Sequence, residues 1–220
     1  MSREPDASDL VSDVLTRLRA TSHPPSRAEV GALVRGELAI GGFRKAAADW
    51  RRLASPVADA ASGDLSNGRF LQVNPDTPFD WTIAPDAGGA VSLGAGDGGA
   101  QLRVVLMDRD PNAPFMSQLL ALAPGAYRLS GTVRLAGVSA AQDDGLVWIV
   151  RCADTGEALG KTDSMRAGDS WSAFEAGFTV PQGRCAGQYL DLKRRGSLTG
   201  AADQSVVFFD HFAVTATAGP

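Results

Sequence analysis

Pro124–Gly125–Ala126–Tyr127–Arg128–Leu129–Ser130 opens a run that alternates cleanly as far as Val138. Tyr127, Leu129, Val133 and Leu135 point one way, and Arg128, Ser130, Thr132 and Arg134 point the other. That period of two is the signature of a strand with one buried and one polar face. Pro-Gly ahead of it supplies the turn. The same grammar recurs on both sides of this stretch. Candidate strands are Arg69–Val73, Phe79–Ala84, Ala90–Leu93, Gln101–Met107, Phe115–Leu122, Ala126–Val138, Leu146–Cys152, Trp171–Val180, Gln188–Lys193 and Val206–Thr215. Turn residues separate them at Asn74–Pro75–Asp76, Pro85–Asp86, Gly94–Gly99, Asp110–Pro111–Asn112, Pro124–Gly125, Asp143–Asp144–Gly145 and Pro181–Gln182–Gly183. Ten short strands with no convincing helix among them predict a mainly β chain, an antiparallel β-sandwich of jelly-roll type over residues 67–220.

Residues 1–56 have a different character. Leu10, Val11, Val14, Leu15 and Leu18 recur at helical spacing. Ser26–Arg27–Ala28–Glu29 has the form of a capping box ahead of Val30, Leu33, Val34 and Leu38. Gly41–Gly42 breaks the chain, Phe43, Ala46, Ala47, Trp50 and Leu53 rebuild an apolar stripe, and Ser55–Pro56 stops it. A small N-terminal α-helical hairpin is expected, joined by a small-residue linker over 57–66. One such pair buries its own face poorly, so it either caps the sandwich or ends a helical array.

The 220 residues are 44% hydrophobic and 21% charged, ordinary for a globular chain, with a net charge of −4. No basic field is present to hold a nucleic acid, and no apolar run is long enough for a membrane-spanning helix. Cys152 and Cys185 are the only cysteines, 33 residues apart. Each sits in an alternating run, Cys185 opening the one that reaches Leu192. A disulfide between neighbouring strands is the economical reading, worth about 3–4 kcal/mol by loop closure; two buried reduced thiols are the alternative. A disulfide persists in an oxidising, periplasmic or extracytoplasmic setting, whereas Met1–Asp6 is polar and carries no signal core. Cytoplasmic thiols, or a piece of a longer exported protein, both remain open.

Catalytic signals are weak. His23 lies beside a Pro-Pro turn, and His211, between Phe209 and Phe212, reads as packed. A hydrolase on this scaffold would need His211 exposed in a cleft. Zinc would need more His and Cys than exist. Gly94–Gly99 is followed by no helix and reads as a hairpin, not a phosphate loop. No enzyme activity and no cofactor are expected.

The order of motifs resembles the galactose-binding-like jelly rolls, particularly their carbohydrate-binding-module branch. Asn67–Gly68–Arg69–Phe70, Pro78–Phe79–Asp80–Trp81, Gln118 before Pro124–Gly125–Ala126–Tyr127, Trp171–Ser172–Ala173–Phe174, Phe178–Thr179–Val180–Pro181 and Phe208–Phe209–Asp210 follow one another as that branch has them. Trp148–Cys152 and Trp50–Arg51–Arg52–Leu53 resemble the form found behind tetratricopeptide-like repeats in proteins associated with bacterial exopolysaccharide. The resemblance implies a non-catalytic module for an oligosaccharide or polysaccharide, here an acidic exopolysaccharide. Many relatives hold calcium between an early Glu and the closing Asp; Asp210 is present, but Leu71 stands where the Glu belongs, which speaks against a metal. The expected binding face is Gln118, Arg128, Arg134, Trp148, Tyr189 and Asp191. Trp148, Trp81 and Trp171 each read first as core or rim residues. As a sugar platform Trp148 is the leading candidate and the other two are lesser ones, and the arginines would meet carboxylates. Tyr189, Asp191 and Lys193 oppose Leu190 and Leu192, making a second polar stripe beside that of 126–138. Lys193–Arg194–Arg195 reads as a solvated strand end. The competing reading is a scaffolding module that meets a protein partner through Leu15, Leu18, Leu33, Phe43 and Trp50.

Overall fold

The computed structural model describes residues 7–54, 63–71, 78–84, 89–96, 99–106, 114–136, 146–163, 170–194 and 206–217. Outside these lie Met1–Asp6, Ser55–Pro56, most of the expected linker and the expected strand ends at 72–73, 107 and 137–138. The turns at Asn74–Pro75–Asp76, Pro85–Asp86, Asp97–Gly98, Asp110–Pro111–Asn112 and Asp143–Asp144–Gly145, and Arg195, also lie outside.

Three helices come first: α1 (Ala7–Leu18), α2 (Arg27–Ala39) and α3 (Phe43–Leu53). The strands are β1 (Thr82–Ile83), β2 (Gly89–Gly96), β3 (Gly99–Leu106), β4 (Met116–Leu120), β5 (Gly125–Ala136), β6 (Leu146–Cys152), β7 (Ala158–Lys161), β8 (Ser172–Val180), β9 (Gln188–Arg194) and β10 (Val206–Ala216). They form two antiparallel five-stranded sheets. Sheet 1 runs β2-β3-β10-β5-β8, and sheet 2 runs β1-β4-β9-β6-β7. The β-sandwich is therefore present. Arg69–Phe70–Leu71 is a turn and not a strand, with Phe70 at φ 54°. The stretch Phe79–Ala84 shortens to the two residues of β1. The small, glycine-bearing β7 has no alternation by which to find it.

The inner faces meet around an aromatic cluster. Trp148 lies 4.6 Å from Phe212, 5.5 Å from Phe209 and 5.8 Å from Trp81, ring to ring. Phe209 and Phe212 are three apart, so a regular strand would send them to opposite faces. Between Asp210 and Ala213, β10 spends three residues against two of β5. This bulge, with His211 at φ 57°, reverses the alternation and turns both rings inward. Gly131 on β5 accommodates Phe212 together with Phe174 of β8, since a Cβ there would stand 2.7 Å from the Phe174 ring and 2.9 Å from Phe212.

The helices cover part of the outer face of sheet 2. Ser26 caps α2 by accepting from the Glu29 amide, and Glu29 accepts in return from the Ser26 amide, the expected capping box. Leu15, Leu33, Trp50 and Leu53 bury against Phe79 and Leu119 of the sandwich, with Phe43, Leu18 and Tyr189 packed at the margin. The helical segment is thus packed on the sandwich. The seat for Phe43 is Gly187, whose missing Cβ would lie 2.3 Å from the ring. The Cys152–Cys185 disulfide lies beneath this seat, its Cα atoms 5.1 Å apart and both residues buried. Cys185 is not in a strand; it occupies a turn at φ 65°, three residues ahead of β9. The described part of the expected linker joins the sandwich. Leu65 is in its core, and Ser66 is held by Gln118.

A charged cluster lies between the helices. Lys45 bonds Glu37 and Asp49 (2.9 Å to the latter), and Arg52 bonds Asp49, Ser12 and Thr16. Burial would raise the Asp49 carboxyl, but hydrogen bonds from Lys45 and Arg52 hold it down at about 2. Burial pushes Glu37 up, the Lys45 bond pulls against it, and Asp49 adds to the rise. The signs follow. Glu37 binds its proton more tightly folded than unfolded, so mild acidification does not weaken the helices through it. Asp49's contribution is present above about pH 4 and is lost as pH falls toward 2. The helical circular-dichroism signal should hold down to about pH 4 and then decline, with roughly 1–2 kcal/mol lost after allowing for the half-exposed cations. Asp49→Asn should abolish that decline. Separately, Gly187→Ala should unseat Phe43 at about 1–3 kcal/mol. Faster hydrogen exchange confined to α3 is the expected readout.

Candidate functional site

The six expected site residues do not share one face. Gln118 and Trp148 are in the interior. Gln118 accepts from the Ser66 amide (2.9 Å) and donates to the Ser66 carbonyl (2.8 Å), fixing the segment that closes the sandwich. Trp148 is fully buried, so it offers no platform; Trp81 is also fully buried. Both are core aromatics, because the side of β6 that carries Trp148 also carries Leu146 and Val150.

Tyr189 and Asp191 lie on the outer face of sheet 2, while Arg128 and Arg134 lie on the outer face of sheet 1, so the two polar stripes look in opposite directions. On sheet 2, Asp191 is paired in register with Ser117 of β4 and Ile149 of β6. Its carboxylate accepts from Arg151 Nε (2.6 Å) and Ser117 Oγ (2.7 Å), with Lys193 Nζ at 4.0 Å. The Arg151 guanidinium lies 4.5 Å over the Tyr189 ring, and Tyr189 also packs against the helical cap. Asp191 is wholly inaccessible. The Asp191 carboxylate is thus occupied by neighbours within the protein. Arg194, expected to be solvated, is buried at the end of β9.

The outer face of sheet 1 is different. Phe208 of β10 is in register with Arg103 of β3 on one side and Arg134 of β5 on the other. The Arg134 guanidinium sits 4.5 Å over Phe208 and 5.5 Å over Trp171. Trp171 is 43% exposed, Phe208 is half-buried and Arg103 is exposed. Rings that lie over a guanidinium's face restrict it and leave its in-plane N–H groups to other partners. Arg134 Nε is buried without a partner. Further along β5, Arg128 meets Glu175 at 3.6 Å. Sequence reasoning ranked Trp171 low and missed Phe208 and Arg103. The signal for Phe208 was its alternation with Phe209, readable once Phe209 is known to face inward.

His211, expected to be packed, is 64% exposed on the bulge, its Nδ1 3.1 Å from Asp210. Among the described residues, no hydroxyl or thiol is hydrogen-bonded to its ring. Asp210 also accepts from the His211 amide (2.7 Å). Leu71, at the position expected for a calcium-binding Glu, bonds through its amide to Asn67 (2.7 Å).

No family model and no curated protein matches this sequence. Among solved structures, the chain is similar to a carbohydrate-binding module described as CBM4, with a TM-score of 0.52 and 15% identity over 70% of this chain and 99% of that one. A xylan-binding domain from Paenibacillus barcinonensis has a TM-score of 0.49 and 14% identity, over 70% and 94%. A cyclase from Fischerella sp. TAU, in complex with 4-(1H-indol-3-yl)butan-2-one, has a TM-score of 0.49 and 17% identity, over 72% and 98%. At such identity, the first of these establishes a shared β-sandwich fold and nothing finer.

The two arginine clusters should separate by mutation. Asp191→Ala strands Arg151 beside a buried sheet face and should cost about 2–3 kcal/mol in urea unfolding. Arg134→Ala, at a half-exposed position, should cost about 1 kcal/mol or less.

Proposed function

We propose that this chain is a non-catalytic carbohydrate-binding module whose ligand is an acidic bacterial exopolysaccharide. The observation that carries this reading is the Trp171–Arg134–Phe208 arrangement on the open face of sheet 1. A pyranose has an apolar face that suits an exposed indole and a hydroxyl rim that suits surrounding polar groups. A uronic acid adds a carboxylate, which the outward edges of Arg134 and Arg103 meet through charge-assisted bonds. Of the originally expected residues, Arg134 and Arg128 belong to this face. Tyr189 and Asp191 support sheet 2, and Gln118 and Trp148 support the core. The shared fold with a carbohydrate-binding module supports the reading without deciding the sugar.

A scaffolding role is favoured by one observation only. Leu10, Val11 and Val14 of α1 and Ile40 after α2 are exposed, while the residues first expected to meet a partner are committed to the cap.

The test is a glycan array probed with the oxidised chain, including acidic bacterial polysaccharides, followed by titration of the best binder. Trp171→Ala and Arg134→Ala should each weaken binding about tenfold or more, roughly 1.4 kcal/mol. Arg134→Lys should recover little, because lysine keeps the charge but not the stacked fork. Trp171→Ala and Arg134→Ala proteins that fold and bind as the parent does would remove this site.

A further inference from the structure

At the far end of β5 from Arg134, the edges of the two sheets come together. β7 ends sheet 2 and β8 ends sheet 1. Gly160 of β7 packs so closely that a Cβ would stand 2.6 Å from Phe178 Cβ of β8. One residue away, Gly177 has nothing within 4 Å of where its Cβ would be. Close packing at one glycine and open space at the next leave a groove of about 580 Å³. That volume is in the range of small-molecule sites. Leu159 supplies an apolar wall. Thr179 and Thr217 lie along the groove, and Arg128 and Glu175 flank it. The Arg128–Glu175 pair is 3.6 Å apart with both side chains mostly solvated. Such a pair is worth little to stability, so its donors and acceptors are free to turn to a ligand.

From these features we infer that the groove is a second ligand subsite, and that it takes a neutral pyranose. This inference rests on the carbohydrate reading above. An apolar wall matches the C–H face of a sugar ring. Two threonine hydroxyls, one guanidinium and one carboxylate provide both donors and acceptors with no net charge, which suits hydroxyls better than a uronate. The open face with Arg103 and Arg134 has the opposite balance, two cations beside two rings. Arg128 and Arg134 are six residues apart on one strand, about 20 Å at some 3.4 Å per residue. The subsites therefore engage separate sugars of a long chain, or two chains.

The experiment is an amide NMR titration of the isotopically labelled full chain with methyl β-galactoside, methyl β-glucoside and glucuronic acid. The amides of Gly177, Thr179 and Thr217 report on the groove, and the Trp171 indole N–H on the open face. A neutral glycoside should move the groove amides, and glucuronic acid the indole. Gly177→Leu fills the groove at a position with room for a side chain. It should abolish the groove response and leave the indole response intact. Glu175→Ala, at a solvated position, should weaken the groove response about tenfold and guards against a Gly177→Leu protein that fails to fold. Groove amides silent to both glycosides, with the indole answering glucuronic acid, would overturn the subsite alone. Silence at both places would overturn the carbohydrate reading as well. A groove response unchanged by either variant would also sink the assignment.

Discussion

The alternation of β10 decides most of what this chain is. A strand that passes through the middle of a sandwich has only every second side chain available to the core. Phe209 and Phe212 both enter it because one extra residue, inserted where His211 takes a left-handed conformation, reverses the sequence of faces. The inserted residue is neither glycine nor asparagine, so the conformation costs about a kcal/mol or more. Burial of a phenyl ring returns about 2–3 kcal/mol, which settles the balance. The bulge also frees the Phe212 amide to donate to the Gly68 carbonyl at 3.0 Å. That bond ties in the turn carrying Phe70, and Phe70 completes the aromatic cluster at 5.4 Å from Phe212. On the other side of the bulge, Phe208 is left facing outward.

The helical cap depends on a different device, the removal of side chains where elements approach. Gly187 makes room for Phe43, and the disulfide fixes the turn on which Gly187 sits to the end of β6. The Ala153 amide donates to the Gly187 carbonyl at 2.9 Å, and Gln188 donates to the Cys185 carbonyl at 2.6 Å. The seat is therefore cross-linked, hydrogen-bonded and sterically matched to one ring. That degree of definition argues that the helices belong where they are and are not a loosely appended unit.

Much of the sandwich was legible because its central strands obey strict alternation. Tyr127, Leu129 and Val133 of β5, and Leu190 and Leu192 of β9, face the core as their spacing required. The disulfide was legible because there were no competing thiols. The site was less so. A strand's outward residues can be read locally, but which sheet a strand joins is set by long-range pairing, and that put the β5 and β9 stripes on opposite sides. Trp148 misled because a large amphipathic ring suits either a platform or a core, and only the packing of β6 chooses. β7 escaped notice because four residues including a glycine carry no period. His211 reads as packed in the sequence because the bulge that exposes it breaks the parity of β10, and that break has no local signal.

Two arginines in this protein lie over aromatic rings at the same 4.5 Å, Arg151 on Tyr189 and Arg134 on Phe208, yet they differ in kind. Arg151 delivers its Nε to a carboxylate that is itself fully buried. Removing a ligand from that site is meaningless, because Asp191 is already the ligand. Arg134 has no carboxylate partner among the described residues, its neighbour across the strand pair is a ring, and the residue beyond that ring is another arginine. Two cations held on one face repel each other. In a chain of net charge −4 that local excess is not demanded by the overall balance. On the proposed reading, an anion bound there would relieve that repulsion. The stacked geometry is shared; what sets the two arginines apart is that the fold supplies a counter-charge to Arg151 and, among the described residues, none to Arg134.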